Sequence, residues 1–244
     1  MWAIYRFTVK LREHSALLAD CLDEIAAGLQ ERMPDLGVEI AIDGSDMPAF
    51  ANGQKFVSRN GPERKRFSDP DASWGHRSAV STRKGGGFYG FKLHMAVCTR
   101  TGLPLAWRVE TARSHESNYV APLLAAVKAR GFQPQTAAMD KGYDYNRVYE
   151  EARARGCVPI VARKKTRYAT PLTAIPHGSA EWKRLYRNRG AVEREFGRLK
   201  HDYALAPLRV RGVSRVRLHA DLTILSRLAL ALNRAKEAQE EAVA

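Results

Sequence analysis

The chain has 244 residues, 45% of them hydrophobic, and carries 40 Lys or Arg against 26 Asp or Glu for a formal net charge of +14. That length supports a full hydrophobic core, so the composition excludes a wholly disordered chain, and the excess positive charge points to a polyanionic partner. Apolar runs stay short of the roughly 18 residues a membrane span needs. Even ILSRLALAL near the C-terminus is broken by Arg227, and MWAIYRFTVKLREH lacks the pattern of a signal peptide. A cytoplasmic location is expected. Cys21, Cys98 and Cys157 are odd in number and far apart, which excludes a disulfide framework or a CxxC zinc site and reads as three small buried hydrophobes. Residues 151–220 hold 17 Lys or Arg against 5 Asp or Glu, so the positive field is concentrated there. Charge alone selects nucleic acid and not chemistry.

Leu18, Leu22, Ile25 and Leu29 recur at helical spacing, predicting an amphipathic helix over about 8–33 that ends at Pro34 and Gly37. No helix-turn-helix pattern is present, although Arg6, Lys10 and Arg12 could touch a nucleic-acid backbone. VEIAIDGS predicts a short strand from Val38 to Ile42 that delivers Asp43 at its end, with Gly44 and Ser45 turning the chain. A turn aspartate bonded to its own backbone would read the same way, and Asp46 fits that description better than Asp43 does. From 51 to 87 the composition shifts to Gly, Ser, Asp and basic residues without periodicity. This predicts a long basic loop in which Phe67 and Trp74 could lie along nucleic acid.

FYGFKLHMAVCT and LPLAWRVE alternate and predict a β-hairpin turning at Thr99 to Gly102. Phe91, Leu93, Met95 and Val97 share one face of its first strand; Lys92 and His94 share the other, toward solvent or a site. Val120, Leu123, Leu124 and Val127 predict a helix stopping at Gly131. TAAMD then reads as a strand with Asp140 at its C-terminal end. A helix over about 145–155 follows, with Asp144 as its expected cap, and CVPIVA as another strand. A basic, proline-interrupted connection covers about 163–181, and a last apolar helix runs over about 214–236 before a fraying acidic tail, 237–244.

Between these lies YRNRGAVEREFGRLK, in which Tyr186, Arg189, Glu193 and Lys200 are spaced by three, four and seven residues. On one α-helix that spacing stacks a tyrosine, an arginine, a carboxylate and a lysine in a single stripe, although a surface helix with i to i+4 pairs would share it. Asp43 and Asp140 at neighbouring strand ends, with Glu193 brought over them by a helix, would form an all-oxygen cage suited to Mg²⁺ or Mn²⁺ and not to zinc. Glu195 is a competing third acid, pointing about 200° around the helix from Glu193.

The sequence IDGS, then YGFKLH, then MDKGYD, then Tyr-x2-Arg-x3-Glu-x6-Lys resembles the DDE transposases of bacterial insertion sequences over roughly residues 38–236. The resemblance implies an α/β architecture, a ribonuclease-H-like mixed sheet flanked by helices. Residues 1–37 then form a short N-terminal helical segment where relatives carry an end-binding domain. It implies that Asp43, Asp140 and Glu193 hold two Mg²⁺ (or Mn²⁺) ions, and that Tyr186, Arg189 and Lys200 contact transposon-end phosphates. Lys141, Lys164, Lys165 and Arg167 are expected as further DNA contacts. The implied activity is phosphodiester hydrolysis at transposon ends followed by strand transfer into target DNA. The implied partners are double-stranded DNA, as terminal inverted repeats and target, and a second copy of the chain in the synapse. A non-catalytic DNA-binding protein derived from a truncated transposase, or a nuclease of the same fold acting without joining, would share much of this pattern.

Overall fold

The structure, a computed structural model, describes residues 2–53, 68–77, 84–164 and 173–243. Six strands form one mixed sheet: β1 (Glu39–Pro48), β2 (Ser73–Arg77), β3 (Gly86–Cys98), β4 (Pro104–Thr111), β5 (Thr136–Met139) and β6 (Val158–Val161). β3 is the longest, and it is bordered antiparallel by β1 on one side and by both β2 and β4 on the other. Its Gly86–Gly90 stretch meets β2, and Phe91–Val97 meets β4. β5 and β6 continue the sheet parallel to β1, giving the order β2-β3-β1-β5-β6 with β4 attached to β3. The parallel part requires crossovers, which the helices after β4 and β5 supply.

The helices are α1 (Trp2–Glu13), α2 (Ser15–Arg32), α3 (Val120–Ala129), α4 (Asn146–Ala154), α5 (Ala180–Arg187), α6 (Gly190–His201) and α7 (Val213–Val243). α3 packs on β3 and β4 and α4 on β6, whereas α5 covers β5 and β6, α6 covers β1 and β3, and α7 joins β4 to α2. This is the ribonuclease-H-like arrangement, a mixed sheet flanked by helices with a short helical segment in front. The alternation of β3 decides which side chains enter the core. Phe91, Leu93 and Met95 are fully buried. Their β1 partners are Met47, Ser45 and Asp43, so the pleat directs Asp43 and Ser45 to the same face, the one α6 covers.

Several sequence expectations are corrected. The N-terminal helix is two helices, divided at His14. β1 does not stop at Ile42: pairing with β3 carries it through Asp43, Gly44 and Ser45 to Pro48, so Asp43 lies within a strand. The expected loop over 51–87 contains β2 and the start of β3; Phe67 lies outside the described residues. Asp144 does not cap α4. Its carboxylate instead accepts from Tyr149 Oη at 3.0 Å and from the Lys164 backbone N–H at 2.8 Å, tying α4 to the exit of β6. The last helix is longer than expected and continues through the acidic tail to Val243. Cys21 is exposed; Cys98 and Cys157 are buried, and burial pushes the Cys157 thiol up to about 12.

The stripe over Tyr186 to Lys200 is also divided. α5 ends at Arg187, and Asn188 and Arg189 pass into α6 through hydrogen bonds of three-residue spacing, Ala191 N to Asn188 O and Val192 N to Arg189 O. Gly190 lowers helix propensity at this point. Glu39 at the start of β1 fixes the junction, accepting from Arg184 at 3.0 Å and from Asn188 at 3.2 Å. Glu195 points away from the stripe, as the 3.6 period predicts. It is fully buried, bonded to Arg227 at 2.8 Å, and also paired with Arg198.

Candidate active site

The parallel register of β1 and β5 aligns Ala41 with Ala138. The pairing stops two residues short of Asp43 and Asp140, and the Asp140 charge acts directly on the Asp43 carboxyl. Asp140 follows the last residue of β5 and initiates a short 3-10 turn, its Oδ1 accepting from Gly142 N at 2.7 Å. A Cβ at position 142 would lie 2.8 Å from that oxygen, so only glycine lets the turn close so tightly on the carboxylate. Asp43 Oδ1 accepts from Gly44 N at 2.8 Å.

Arg189, at the α5–α6 junction, bridges the first and third acids of the sequence motif. Its guanidinium lies 3.2 Å from Asp43 Oδ2 and 2.6 Å from Glu193 Oε1. Tyr186 stacks on Trp182 with ring centroids 4.7 Å apart and lies under the Arg189 guanidinium, which limits the positions the arginine adopts. Nearly two turns beyond Glu193, Lys200 donates to Ser45 Oγ and to the Asp46 carbonyl, both at 2.8 Å, anchoring α6 to β1. Lys141 is exposed in the turn after Asp140, and the Lys164 ammonium sits 3.4 Å from the centroid of the Tyr145 ring. Lys165 and Arg167 lie outside the described residues.

Two further groups that motif reading did not single out border this cluster. Glu116, in the 3-10 turn before α3, pairs with Lys92 at 2.7 Å and reaches the backbone beside Asp43: a Cβ on Gly44 would be 3.2 Å from Glu116 Cγ. Tyr143 is fully buried, and its hydroxyl makes no hydrogen bond among the described residues. Burial and then the charges of Asp43, Glu116 and Asp140 raise its pKa well above 10, so it remains a neutral donor. The MDKGYD motif carried a signal for Tyr143, three residues after Asp140, whereas nothing in SHES marked Glu116. His94, which could have faced solvent or a site, is buried and stacked on Tyr119 at 4.1 Å. Both its ring nitrogens lack partners among the described residues, and burial followed by the Lys92 charge lowers its pKa to about 3.

Asp43 carries the electrostatic tension of the site. Burial first, and then the Asp140 and Glu116 charges, raise its carboxyl from 3.8 to about 7; Gly44 N–H and Arg189 pull the other way. Arg189 compensates only partly because Glu193 shares it at shorter range. Crowded carboxylates that resist ionisation are relieved by a divalent cation, so Asp43 and Asp140 fit an oxygen-ligated metal. Glu193 is held by Arg189, and among the described residues no three His, Cys, Asp or Glu side chains already converge at metal-ligand distance.

The raised Asp43 pKa has a measurable consequence. The native state binds this proton more tightly than the unfolded chain, so the stabilisation is complete below about pH 4 and is lost as pH rises through about 7. In metal-free buffer, Asp43→Asn should therefore gain thermal stability relative to the wild type as pH rises from about 5 to about 8. A difference in melting temperature that stays constant across that range would mean that Asp43 is ionised throughout.

Residues 35–229 match the family described as the transposase DDE domain, which covers most of the chain. The chain belongs to that family. It is also 27% identical over 175 residues, 67% of this chain and 75% of the relative, to a protein described as a putative transposase for insertion sequence element IS402 from Burkholderia cepacia. The match to the family begins just before β1 and ends within α7, so the transposase domain includes the sheet, Asp43, Asp140 and both helices of the divided stripe. No helix among the described residues is long and apolar enough to cross a membrane.

Proposed function

We propose that this transposase domain hydrolyses a phosphodiester at each end of an insertion sequence and joins the freed 3′ hydroxyl to target DNA, using Asp43, Asp140 and Glu193 as its acidic residues. The observation that supports the reading is the Asp140 carboxylate, just past the end of β5, acting on Asp43 of the neighbouring strand β1, with Arg189 linking Asp43 to Glu193. Divalent Mg²⁺ or Mn²⁺, when bound, would supply activation of the attacking oxygen and charge stabilisation at the leaving oxygen. Asp43 and Asp140 would hold it from the sheet, and Glu193 from α6 once a DNA phosphate draws Arg189 away.

In the first step a water oxygen bonds to phosphorus while the bond from phosphorus to the 3′ oxygen breaks. In the second, that 3′ oxygen attacks a target phosphodiester and displaces another 3′ oxygen. The chain's own contribution is positional. Tyr186 and Arg189 take the phosphate backbone along α5 and α6, Lys200 supports that face from its anchor on Ser45 and Asp46, and Lys141 beside Asp140 and Lys164 over Tyr145 extend the contact. Simultaneous action on two ends calls for a second copy of the chain.

The bridge made by Arg189 also supports a second reading, in which the domain binds DNA without cutting it. One experiment separates the two. A labelled duplex carrying the element's terminal repeat is incubated with Mg²⁺, Mn²⁺ or chelator, with wild type and with Glu193→Gln. Metal-dependent nicking at the end, abolished in the variant, is the expected result. Binding without cleavage under every metal condition would sink the catalytic reading in favour of the second.

A further inference from the structure

A groove of about 550 Å³ lies away from the acidic cluster, between α1, the segment over 209–211 and the start of α7. Its walls carry Arg12 from α1 together with Arg209, Arg211 and Arg215, and its apolar surface includes Tyr5 and Phe50. None of the described residues that line it is acidic. Arg209 and Arg215 are exposed, and their guanidinium groups make no hydrogen bond or ion pair among the described residues, so their charge is uncompensated within the described fold. Tyr5 and Phe50 are about half exposed, which leaves two aromatic faces open beside four guanidinium groups.

The wall is held in place by three anchors. Arg211 donates to the Phe50 carbonyl at 2.6 Å and lies 5.3 Å from the Phe50 ring centroid. Asp69 and Asp71 accept from the backbone N–H groups of Gly212 and Val213 at 3.0 and 2.9 Å, fixing the start of α7. The basic side chains therefore project from an ordered frame, which reduces the entropy cost of binding. Phe50 lies two residues beyond the end of β1, the strand that bears Asp43 in its middle, so one strand connects the groove to the acidic cluster along its length.

We infer that this groove is a second DNA-contacting surface, taking the sugar-phosphate backbone of duplex DNA that extends beyond the segment engaged at Asp43 and Asp140. Clustered arginines recognise phosphate through paired N–H donors, and the open aromatic faces suit contact with sugar edges. The inference rests on the proposed function only for the identity of the polyanion. The surface itself follows from the four arginines and from the lack of acids among the described residues that line it.

The test measures equilibrium binding of the full chain to a labelled mixed-sequence duplex across a salt series, in an Asp140→Asn background so that no cleavage occurs. The groove variant is Arg209→Gln/Arg211→Gln/Arg215→Gln. A control of equal charge loss, Arg100→Gln/Arg234→Gln/Lys236→Gln, removes three cations elsewhere. The groove variant should bind about tenfold or more weakly, with the slope of log K against log salt reduced by about 0.9 for each phosphate that is no longer neutralised. The control should stay within about twofold of the parent. Because Arg211 also braces Phe50, Arg209→Gln/Arg215→Gln provides a variant that keeps that bond, and its slope should fall between those of the parent and the triple variant. Equal effects in groove and control variants would reduce the result to net charge and overturn the inference. Unchanged DNA affinity with altered self-association would overturn it as well, assigning the groove to a second copy of the chain. Either outcome is independent of whether the wild type cleaves DNA.

Discussion

On the proposed function, Asp140→Asn should lower metal-dependent cleavage of an element-end duplex by about three orders of magnitude or more, while DNA affinity should hold or increase. The size follows from the several kcal/mol that a correctly placed divalent ion contributes to a phosphoryl transition state, at about 1.4 kcal/mol per tenfold in rate. The direction of the binding change follows from local charge. Burial together with the neighbouring charges of Asp140 and Glu116 raises the Asp43 carboxyl to about 7, so removing one negative charge makes the cluster less hostile to phosphate. The side chain of Asp140 also closes the turn onto Gly142 N, and asparagine retains an oxygen able to accept that bond. Cleavage kinetics and binding should be measured on the same preparation, with a melting curve to confirm folding. Parallel loss of cleavage and binding would argue against a metal-holding role for Asp140 and place it in the DNA contact.

The second large effect concerns stability. Arg227→Met leaves Glu195 fully buried with only Arg198, itself partly exposed, to balance it. Removing one partner from a buried ion pair costs about 3–5 kcal/mol, because the remaining charge stays desolvated. For a chain of this size that lowers the melting temperature by roughly 10 °C. Glu195→Leu together with Arg227→Met should recover most of the loss, since apolar replacement of a whole buried pair is often neutral. If both variants melt alike and far below the wild type, packing around α6 and α7 matters more than the charge balance. Neither substitution alters Asp43, Asp140 or Glu193, so specific cleavage per folded molecule should persist below the melting transition.

Much of the architecture was legible because it rests on local periodicity. The alternation from Phe88 to Thr99 and from Leu103 to Glu110 marked the hairpin, the apolar spacing from Val120 to Val127 marked α3, and the short run before Asp140 marked β5. The order of the three acids and the spacing of Tyr186, Arg189, Glu193 and Lys200 are properties of the sequence, and they led to the family. The helical period also turned Glu195 away from the stripe before any packing was known.

Tertiary pairing decided the rest. Asp-Gly-Ser-Asp reads as a turn from local preference, yet β3 offers a full antiparallel partner from Gly90 to Cys98, and those ladder bonds keep β1 extended through Asp43. The Tyr186 to Lys200 segment has helical spacing throughout, but Glu39, far away in sequence, holds Arg184 and Asn188 and accompanies the break at the junction. The bridge from Arg189 to Asp43 spans 146 residues, and Glu116 approaches Gly44, whose side of the pleat is opposite to that of Asp43. The sequence by itself determined which chemical groups the chain carries and on which local elements. Only the tertiary structure decided which of them meet, because strand register and helix docking set distances between residues that no local periodicity connects.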